Sequence, residues 1–239
     1  ILFLFQHNYL RFLKVLDHKE KIYTIGAGSN TLITDEVFDG VVIKLGKNFN
    51  RLSLLTPEII ISGAAVSDKK LAEFAADNDL SGFEFLSCIP GSVGGGIKMN
   101  AGCFGNEIKD ILLSVQAVDH FGNISTIPST EISFDYRGNN LSDDLIFLSA
   151  SFRGKNQNSK IILEKMKELK IKKDNNQPTK IKTSGSTFKN PINITKKKAW
   201  ELIKESVPSD IRFGDACISE KHSNFFVNKG NAKFSDMKK

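Results

Sequence analysis

The sequence predicts an α+β fold, because short apolar runs typical of strands occur beside segments with helical period. Residues 59–63 and 145–152 have the length and composition of buried strands. Residues 67–79 place apolar side chains at helical spacing behind a serine that can cap the helix. With 239 residues, of which 40% are hydrophobic, the chain can bury one large core or two ordinary ones.

Strands and turns can be assigned in order along the first half of the chain. Residues 21–25 indicate a short buried strand that runs into a glycine turn at 26–30, and residues 41–43 indicate the next strand. Residues 114–118 and 124–127 flank an Asp-His-Phe-Gly-Asn turn, which predicts a β-hairpin. Helical and strand periods therefore alternate along one chain.

The last third of the chain is more polar. A lysine-rich helix is predicted at residues 160–172, and the Asp-Asn-Asn-Gln-Pro segment at 174–178 breaks it. A domain boundary is expected near that break. Beyond it, a helix at 199–205 and a strand at 224–228 are too little for a large independent core.

The net charge of +6 and the pI near 9.1 are compatible with a nucleic acid, a membrane surface or a small anionic ligand. Lysines concentrate at residues 155–182 and 196–198 without the interleaved aromatic side chains on which bases stack. We therefore expect neither a nucleic-acid nor a membrane partner. Most of these lysines form a solvated face, and a few can attract a phosphorylated ligand.

The cysteines indicate a reducing compartment. Cys88, Cys103 and Cys217 are odd in number and far apart, which favours neither a disulfide framework nor a metal site and predicts a cytoplasmic protein. The apolar residues 1–5 are too few to span a bilayer and lack a cleavage signature. Because the chain starts without Met and stops at a helix start, both ends are expected to be cut.

Two glycine-rich loops are candidates for binding an anion. Residues 26–31, Gly-Ala-Gly-Ser-Asn-Thr, begin like a dinucleotide fingerprint, but Thr31 stands where a third glycine belongs, so a simple tight turn is equally compatible. Residues 90–105 contain six glycines, which is costly in backbone entropy. A pyrophosphate held by successive amides explains that density better than a packing loop does.

Five motifs in sequence resemble those of the UDP-N-acetylenolpyruvoylglucosamine reductases, flavoenzymes of the vanillyl-alcohol oxidase superfamily. The resemblance covers nearly the whole chain. The motifs are Gly-Ala-Gly-Ser-Asn at 26–30, Ile-Pro-Gly-Ser-Val-Gly-Gly at 89–95 with Met-Asn-Ala-Gly at 99–102, Phe-Asp-Tyr-Arg at 134–137, Gly-Ser-Thr-Phe-Lys-Asn-Pro at 185–191, and Ser-Glu-Lys-His-Ser-Asn-Phe at 219–225.

The resemblance implies an architecture and a reaction. Residues 1–158 would form a PCMH-type FAD-binding domain of two α+β subdomains, and residues 159–239 would form a C-terminal α+β substrate-binding domain. Each domain would be incomplete at its outer end. FAD would bind non-covalently and accept a hydride from NADPH. The reduced flavin would then reduce the enolpyruvyl group of a UDP-sugar to UDP-N-acetylmuramate, in peptidoglycan precursor synthesis. A monomer is favoured.

The matching positions receive roles by the same resemblance. Ser186 would be the proton donor, and Arg137 would stabilise the developing enolate. Tyr136, Lys189 and Asn190 would hold the substrate. The cofactor would be bound by Gly26, Ala27, Gly28, Ser29, Asn30, Pro90, Gly91, Ser92, Gly94, Gly95, Asn100, Ala101 and Gly102.

Without the resemblance, simpler interpretations are favoured for both catalytic candidates. Ser186 follows a glycine and can be a turn or helix-cap serine, and Arg137 can form a surface ion pair with Asp135 or Asp143. His222 is interpreted as shaping the cleft by hydrogen bonding rather than transferring a proton. Three aromatic side chains, Trp200, Phe83 and Phe85, are expected in the core.

The sequence departs from the family at two places. Gly138, Asn139 and Asn140 follow Arg137 where the family has another residue and then Ser, so the local backbone can differ. The family's C-terminal catalytic glutamate would lie beyond Lys239. The short path from 190 to 219 favours the class that lacks an added tyrosine loop.

Two other functions remain compatible with the sequence. Another flavin oxidoreductase of the same superfamily would explain the glycine loops but not the motif at 185–191. A non-catalytic sugar-nucleotide binding protein would use the lysines for phosphate attraction and Ser186 structurally. Flavin content separates the second alternative from both enzymes, and NADPH dependence separates the enzymes from each other.

Overall fold

The computed structural model describes residues 2–4, 21–178 and 181–239. The strands are β1 (Leu2–Leu4), β2 (Ile22–Thr24), β3 (Val41–Leu45), β4 (Leu52–Thr56), β5 (Ile59–Gly63), β6 (Leu80–Ser81), β7 (Gly102–Cys103), β8 (Asn106–Glu107), β9 (Leu112–Val118), β10 (Ile124–Pro128), β11 (Phe134–Asp135), β12 (Gly138–Asn139), β13 (Ile146–Arg153), β14 (Lys155–Asn156), β15 (Arg212–Phe213), β16 (Ala216–Ile218) and β17 (Phe226–Asn228). The α-helices are α1 (Asp68–Asp77), α2 (Val93–Lys98), α3 (Ser159–Asn176), α4 (Ala199–Ser206) and α5 (Phe234–Lys238). Of the apolar run at 1–5, only residues 2–4 lie among the described residues.

The described residues divide into two compact units. The first holds the residues up to Ala27 and Asp39–Lys170, and the second holds Gly28–Phe38 and Ile171–Lys239. The division falls inside α3, whereas the sequence placed a boundary near 174–178 and the resemblance placed one at 158. The sequence-based domain bounds stay a prediction.

A five-stranded antiparallel sheet with the order β10-β9-β13-β5-β4 forms the centre of the first unit. Its inner strands are the strongly apolar segments predicted from the sequence, and most of their residues are buried or half-buried. The edge strands β4 and β10 are mostly exposed. The predicted hairpin is confirmed, with Ile124 paired to Val118 and Ile127 to Val115.

Helices α1 and α2 share one hydrophobic core with this sheet. Helix α1 begins after Ser67, whose hydroxyl accepts a hydrogen bond from the N–H of Lys70 at 3.2 Å, so the predicted cap is confirmed. Phe83 and Phe85 are buried as predicted, and the Phe83 ring meets that of Phe152 edge to face at 6.3 Å.

A smaller parallel sheet with the order β1-β3-β2 also belongs to the first unit. Strands β2 and β3 confirm the predicted strands on either side of the first glycine turn, but β2, which was predicted to be buried, is mostly exposed. Ile43 on β3 is fully buried in a second apolar cluster with Val118 and Ile146 of the large sheet. Gly26 and Ala27, which follow β2, belong to the same unit as both sheets.

The second unit contains an antiparallel sheet with the order β15-β16-β17. Ala199, Ala216, Phe225 and Val227 supply its buried apolar side chains. Trp200 is only half-buried, so the expectation that it lies in the core is wrong. Its ring lies 6.1 Å from that of His222.

Helix α3 is longer than the sequence predicted. It continues to Asn176, because the last turn satisfies its own carbonyl groups: Asn176 Nδ2 donates to Lys172 O at 2.7 Å and Gln177 N–H donates to Lys173 O at 2.8 Å. Pro178 follows the end of the helix. Among the described residues, no helix has both the length and the apolar composition needed to cross a membrane.

Candidate active site

The two glycine loops meet in the first unit. A Cβ atom placed on Gly26 would lie 2.4 Å from Ser92 Oγ and 3.9 Å from the N atom of Gly95. A side chain at residue 26 would require the Ser92 hydroxyl to move, because a Cβ contact below 3.0 Å is too short. The sequence therefore uses glycine where one loop must come close to the other.

The second loop is fixed to the turn between β5 and α1. Val93 N–H donates to Val66 O at 2.8 Å, and Gly94 N–H donates to Ala64 O at 2.9 Å. A Cβ on Gly94 would lie 3.1 Å from that of Ala64. Because its N–H is engaged, any role of Gly94 in binding an anion rests on the missing side chain and not on the amide.

The side chain of Asn100 fixes the glycine-rich segment 100–102 by hydrogen bonds. Asn100 is fully buried with φ at +39°, and its Nδ2 donates to Glu107 Oε2 at 3.0 Å and to Asp135 O at 3.2 Å. Its Oδ1 accepts the N–H of Lys109 at 3.2 Å. These bonds tie the segment 100–102 to β8 and to the strand before Arg137.

Tyr136 and Arg137 form the two-residue turn between β11 and β12. Arg137 has φ at +63°, a left-handed conformation that usually selects glycine or asparagine at this turn position. The strain costs on the order of 1 to 2 kcal/mol. Strain of this kind concentrates at functional sites, where the surrounding structure imposes it.

The guanidinium of Arg137 turns towards the glycine-rich segment. Its Nη2 donates to Gly102 O at 3.1 Å, and its Cζ lies 5.5 Å from the centre of the Tyr136 ring. Within the part of the chain that the structure describes, Arg137 forms no salt bridge with Asp135, and Asp143 pairs instead with Lys98 at 2.7 Å. The surface ion pair considered from the sequence is therefore absent there.

Glu107 is a further acid of this site. Although burial opposes ionisation, hydrogen bonds from Lys109 and Asn100 and the nearby charges of Lys109 and Arg137 lower the pKa of Glu107. Its carboxylate lies 2.7 Å from Lys109 Nζ. Glu107 thus places a negative charge near Arg137.

The residues that depart from the family pattern serve local structure. Asn139 Nδ2 donates to the carbonyl groups of Ile97 and Lys98 at 2.9 and 3.1 Å, which satisfies the end of α2. Asn140 Oδ1 accepts the N–H of Ser133 at 2.9 Å. A Cβ on Gly138 would meet nothing within 4 Å.

The predicted proton donor lies in the second unit on an exposed, extended loop. Ser186 follows Gly185, whose φ is +84°, and forms an isolated antiparallel bridge with Phe225. Its hydroxyl makes no hydrogen bond to any residue that the structure describes. It is therefore not a helix cap, and its hydroxyl is available to a ligand.

Asn224 holds this loop in place. It is 3% exposed, its Oδ1 accepts the N–H of Phe188 at 2.9 Å, and its Nδ2 donates to Phe188 O at 2.8 Å. Its own carbonyl accepts the N–H of Thr187 at 2.8 Å. Three hydrogen bonds thus fix the two residues directly after Ser186.

Three other side chains of the second unit take defined positions. Lys189 is exposed, and Asn190 Oδ1 accepts the N–H of Ala199 at 3.0 Å at the start of α4. His222 Nδ1 accepts the N–H of Asn224 at 3.3 Å, and its ring lies 4.7 Å from that of Phe225. Burial lowers the pKa of His222, which agrees with a hydrogen-bonding role.

The predicted site residues are shared between the units. The first unit holds Gly26, Ala27, Pro90, Gly91, Ser92, Gly94, Gly95, Asn100, Ala101, Gly102, Tyr136 and Arg137, and the second holds Gly28, Ser29, Asn30, Ser186, Lys189 and Asn190. Sequence reasoning missed Glu107 and the bonding role of Asn224, although Asn224 lies in a motif that it quoted. Among the described residues, no group of three or more His, Cys, Asp or Glu side chains could hold a metal ion.

Comparisons with known proteins agree with these motifs. Residues 11–127 match the FAD binding domain family, and residues 177–239 match the family described as UDP-N-acetylenolpyruvoylglucosamine reductase, C-terminal domain. The chain is 63% identical over 228 residues to UDP-N-acetylenolpyruvoylglucosamine reductase of Pelagibacter ubique, which covers 95% of this chain and 76% of that protein. The Rickettsia typhi enzyme of the same name is 45% identical over 226 residues, covering 95% and 75%.

A solved structure is also similar. The crystal structure of UDP-N-acetylenolpyruvylglucosamine reductase from Thermus caldophilus matches with a TM-score of 0.86 and 32% sequence identity. The match covers 98% of this chain and 83% of that one. The similarity therefore extends through both compact units.

Proposed function

The chain belongs to the UDP-N-acetylenolpyruvoylglucosamine reductase family, and from this membership we propose that Ser186 and Arg137 carry its chemistry. The family and the α+β fold predicted from the sequence are confirmed. The protein is an FAD-dependent oxidoreductase that uses NADPH to reduce the enolpyruvyl group of a UDP-sugar in peptidoglycan synthesis. The assignment of individual residues goes beyond these findings.

The cofactor site that we propose consists mainly of backbone. FAD supplies the hydride relay between NADPH and the substrate. The residues fit such a group, because the glycines at 26 and 94 keep both loops without a side chain where the chain is closely packed, which lets a ligand approach the main chain. In the first unit, Gly26, Ala27 and residues 90–95 would hold the pyrophosphate, and residues 100–102 would contact the flavin part of the cofactor. Gly28, Ser29 and Asn30 complete the first loop.

Hydride addition to one alkene carbon leaves negative charge that passes into the substrate carboxylate. Arg137 stabilises this charge, because its guanidinium stays cationic throughout the accessible pH range and is fixed by its bond to Gly102 O. Ser186 gives a proton to the other alkene carbon, and its hydroxyl has no competing acceptor among the described residues. Tyr136, Lys189 and Asn190 hold the substrate.

Further parts of the proposal concern domains and location. We assign cofactor binding to residues 1–158 and substrate binding to residues 159–239. The three cysteines carry free thiols, which supports a reducing, cytoplasmic setting, and a monomer is the proposed state. The ligands are small molecules, a UDP-sugar and NADPH.

The single observation that carries the catalytic proposal is that the Ser186 hydroxyl, on a loop that Asn224 holds in place, has no hydrogen-bond partner among the described residues. Its test separates the half-reactions by stopped-flow absorbance of the flavin. Ser186→Ala should leave bleaching by NADPH unchanged and slow the substrate-dependent recovery of colour at least about 100-fold, since a positioned proton donor contributes about that much. Ser209→Ala, at an exposed turn in the same unit, should behave as wild type. Equal slowing of both half-reactions would contradict the role of Ser186.

A further inference from the structure

Asp68 carries a buried carboxyl group that has no role in the proposed reaction. It is the first residue of α1 and is 0% exposed. Neither carboxyl oxygen has a hydrogen-bond partner among the residues that the structure describes. Leaving such a group unpaired is costly, so its retention requires an explanation.

The carboxyl group lies directly against the second glycine loop. A Cβ placed on Gly91 would be 2.5 Å from Asp68 Oδ2, and one placed on Gly96 would be 3.1 Å from Oδ1. The N–H of Asp68 also donates to Gly91 O at 3.2 Å. Two glycines of the loop therefore make room for this acid.

The charged groups on the neighbouring elements, and Lys69 and Glu73 on α1 itself, are engaged with other partners, while Lys70 on α1 is exposed to solvent. The ion pairs are Lys69 with Glu73 at 3.3 Å, Lys98 with Asp143 at 2.7 Å and Lys109 with Glu107 at 2.7 Å. The carboxylates of Glu84 and Asp110 accept the N–H groups of Gly82 and Glu107, each at 2.8 Å. The ionised form of Asp68 thus lacks compensation, and burial raises its pKa to about 7.

We propose that Asp68 is a positioning residue of the cofactor loop that must be protonated for tight binding, so that FAD binding takes up a proton. The inference rests on the proposed role of residues 90–95 in holding the pyrophosphate. A carboxylate behind the loop repels the negative pyrophosphate through a poorly screened interior. The neutral acid has the same shape without the charge.

The test is the dissociation constant of FAD, measured by flavin fluorescence from about pH 5.5 to about pH 8.5. For the wild type it should be constant below pH 7 and rise by up to about tenfold per pH unit above it, since one proton is linked to binding. Asp68→Asn keeps the shape and stays neutral, so its dissociation constant should be independent of pH and lower than the wild-type value at the alkaline end. Asp77→Asn, an exposed acid on the same helix, should keep the wild-type profile.

Calorimetry of the wild type gives an independent measure, which stands even if the Asp68 variant fails to fold. Titrations at about pH 7.5 in buffers of different ionisation enthalpy should show the uptake of most of one proton per FAD. Two results would overturn the role of Asp68 alone: tight FAD binding without proton uptake, or an Asp68→Asn variant whose dissociation constant depends on pH as that of the wild type does. A wild type that binds no FAD at any pH would overturn the cofactor site and this inference with it.

Discussion

Replacing Asn224 with alanine tests whether the loop that carries Ser186 is held by one buried amide. The change removes the bonds of 2.9 and 2.8 Å to the N–H and carbonyl of Phe188. Each such bond contributes about 1 kcal/mol net, and the buried groups that remain unpaired add to the loss. We therefore expect a loss of about 2 to 3 kcal/mol in the free energy of unfolding of the second unit.

The assay follows urea unfolding by tryptophan fluorescence. The chain has a single tryptophan, and Trp200 lies in the second unit, 6.1 Å from the His222 ring. In the same variant, the substrate-dependent recovery of flavin colour should slow about tenfold or more, because the loop loses its fixed geometry. The reduction of the flavin by NADPH should be unchanged.

The matched control is Asn231→Ala, an exposed asparagine in the same unit, which should change the unfolding free energy by less than about 0.5 kcal/mol. If Asn224→Ala matched this control in stability, the proposal that Asn224 holds the Ser186 loop in place would be refuted. If Asn224→Ala slowed both half-reactions equally, the hydrogen bonds of Asn224 would not act specifically on the substrate step.

Two further predictions concern the first unit. Gly94→Ala should cost about 1 to 3 kcal/mol of stability by overpacking against Ala64, measured by thermal unfolding. It should also weaken FAD binding, measured by flavin titration. Gly138→Ala is the control and should cost far less stability, because its Cβ meets nothing within 4 Å. The pKa of Glu107 is lowered from its ordinary value of 4.5, so its stabilising contribution is present above that value and is lost as the pH falls through the folded-state pKa. Glu107→Gln should therefore flatten the loss of unfolding free energy below about pH 4.5, and a parallel pH dependence in both proteins would contradict this reasoning.

Much of the secondary structure could be predicted because its causes are local. The Ser67 cap, the hairpin at 114–127 and the buried strand at 59–63 each depend on residues adjacent in sequence or at a fixed period. The end of α3 was misjudged for the same reason. Asp and Asn disfavour a helix on average, but here Asn176 bonds back to Lys172 O and extends it.

The roles of Ser186 and Arg137 came from motif resemblance, and they stay predictions. Composition and spacing alone would have favoured a turn serine and a surface ion pair. The bridge of Ser186 to Phe225 and the bond of Arg137 to Gly102 could be seen only in the tertiary structure, because in each case the partner lies 35 or more residues away.

The sequence by itself determined the family, the fold class and the positions of the glycine loops, since these depend on residue order. Only the tertiary structure decided which polar groups are paired. An acid after a helix cap is ordinary in sequence, and Asp68 is unusual only because Gly91 and Gly96 lie against its carboxyl group without donating a hydrogen bond to it. Burial and hydrogen bonding are properties of the packed chain, and they set the charge of Asp68 and the geometry of the Ser186 loop.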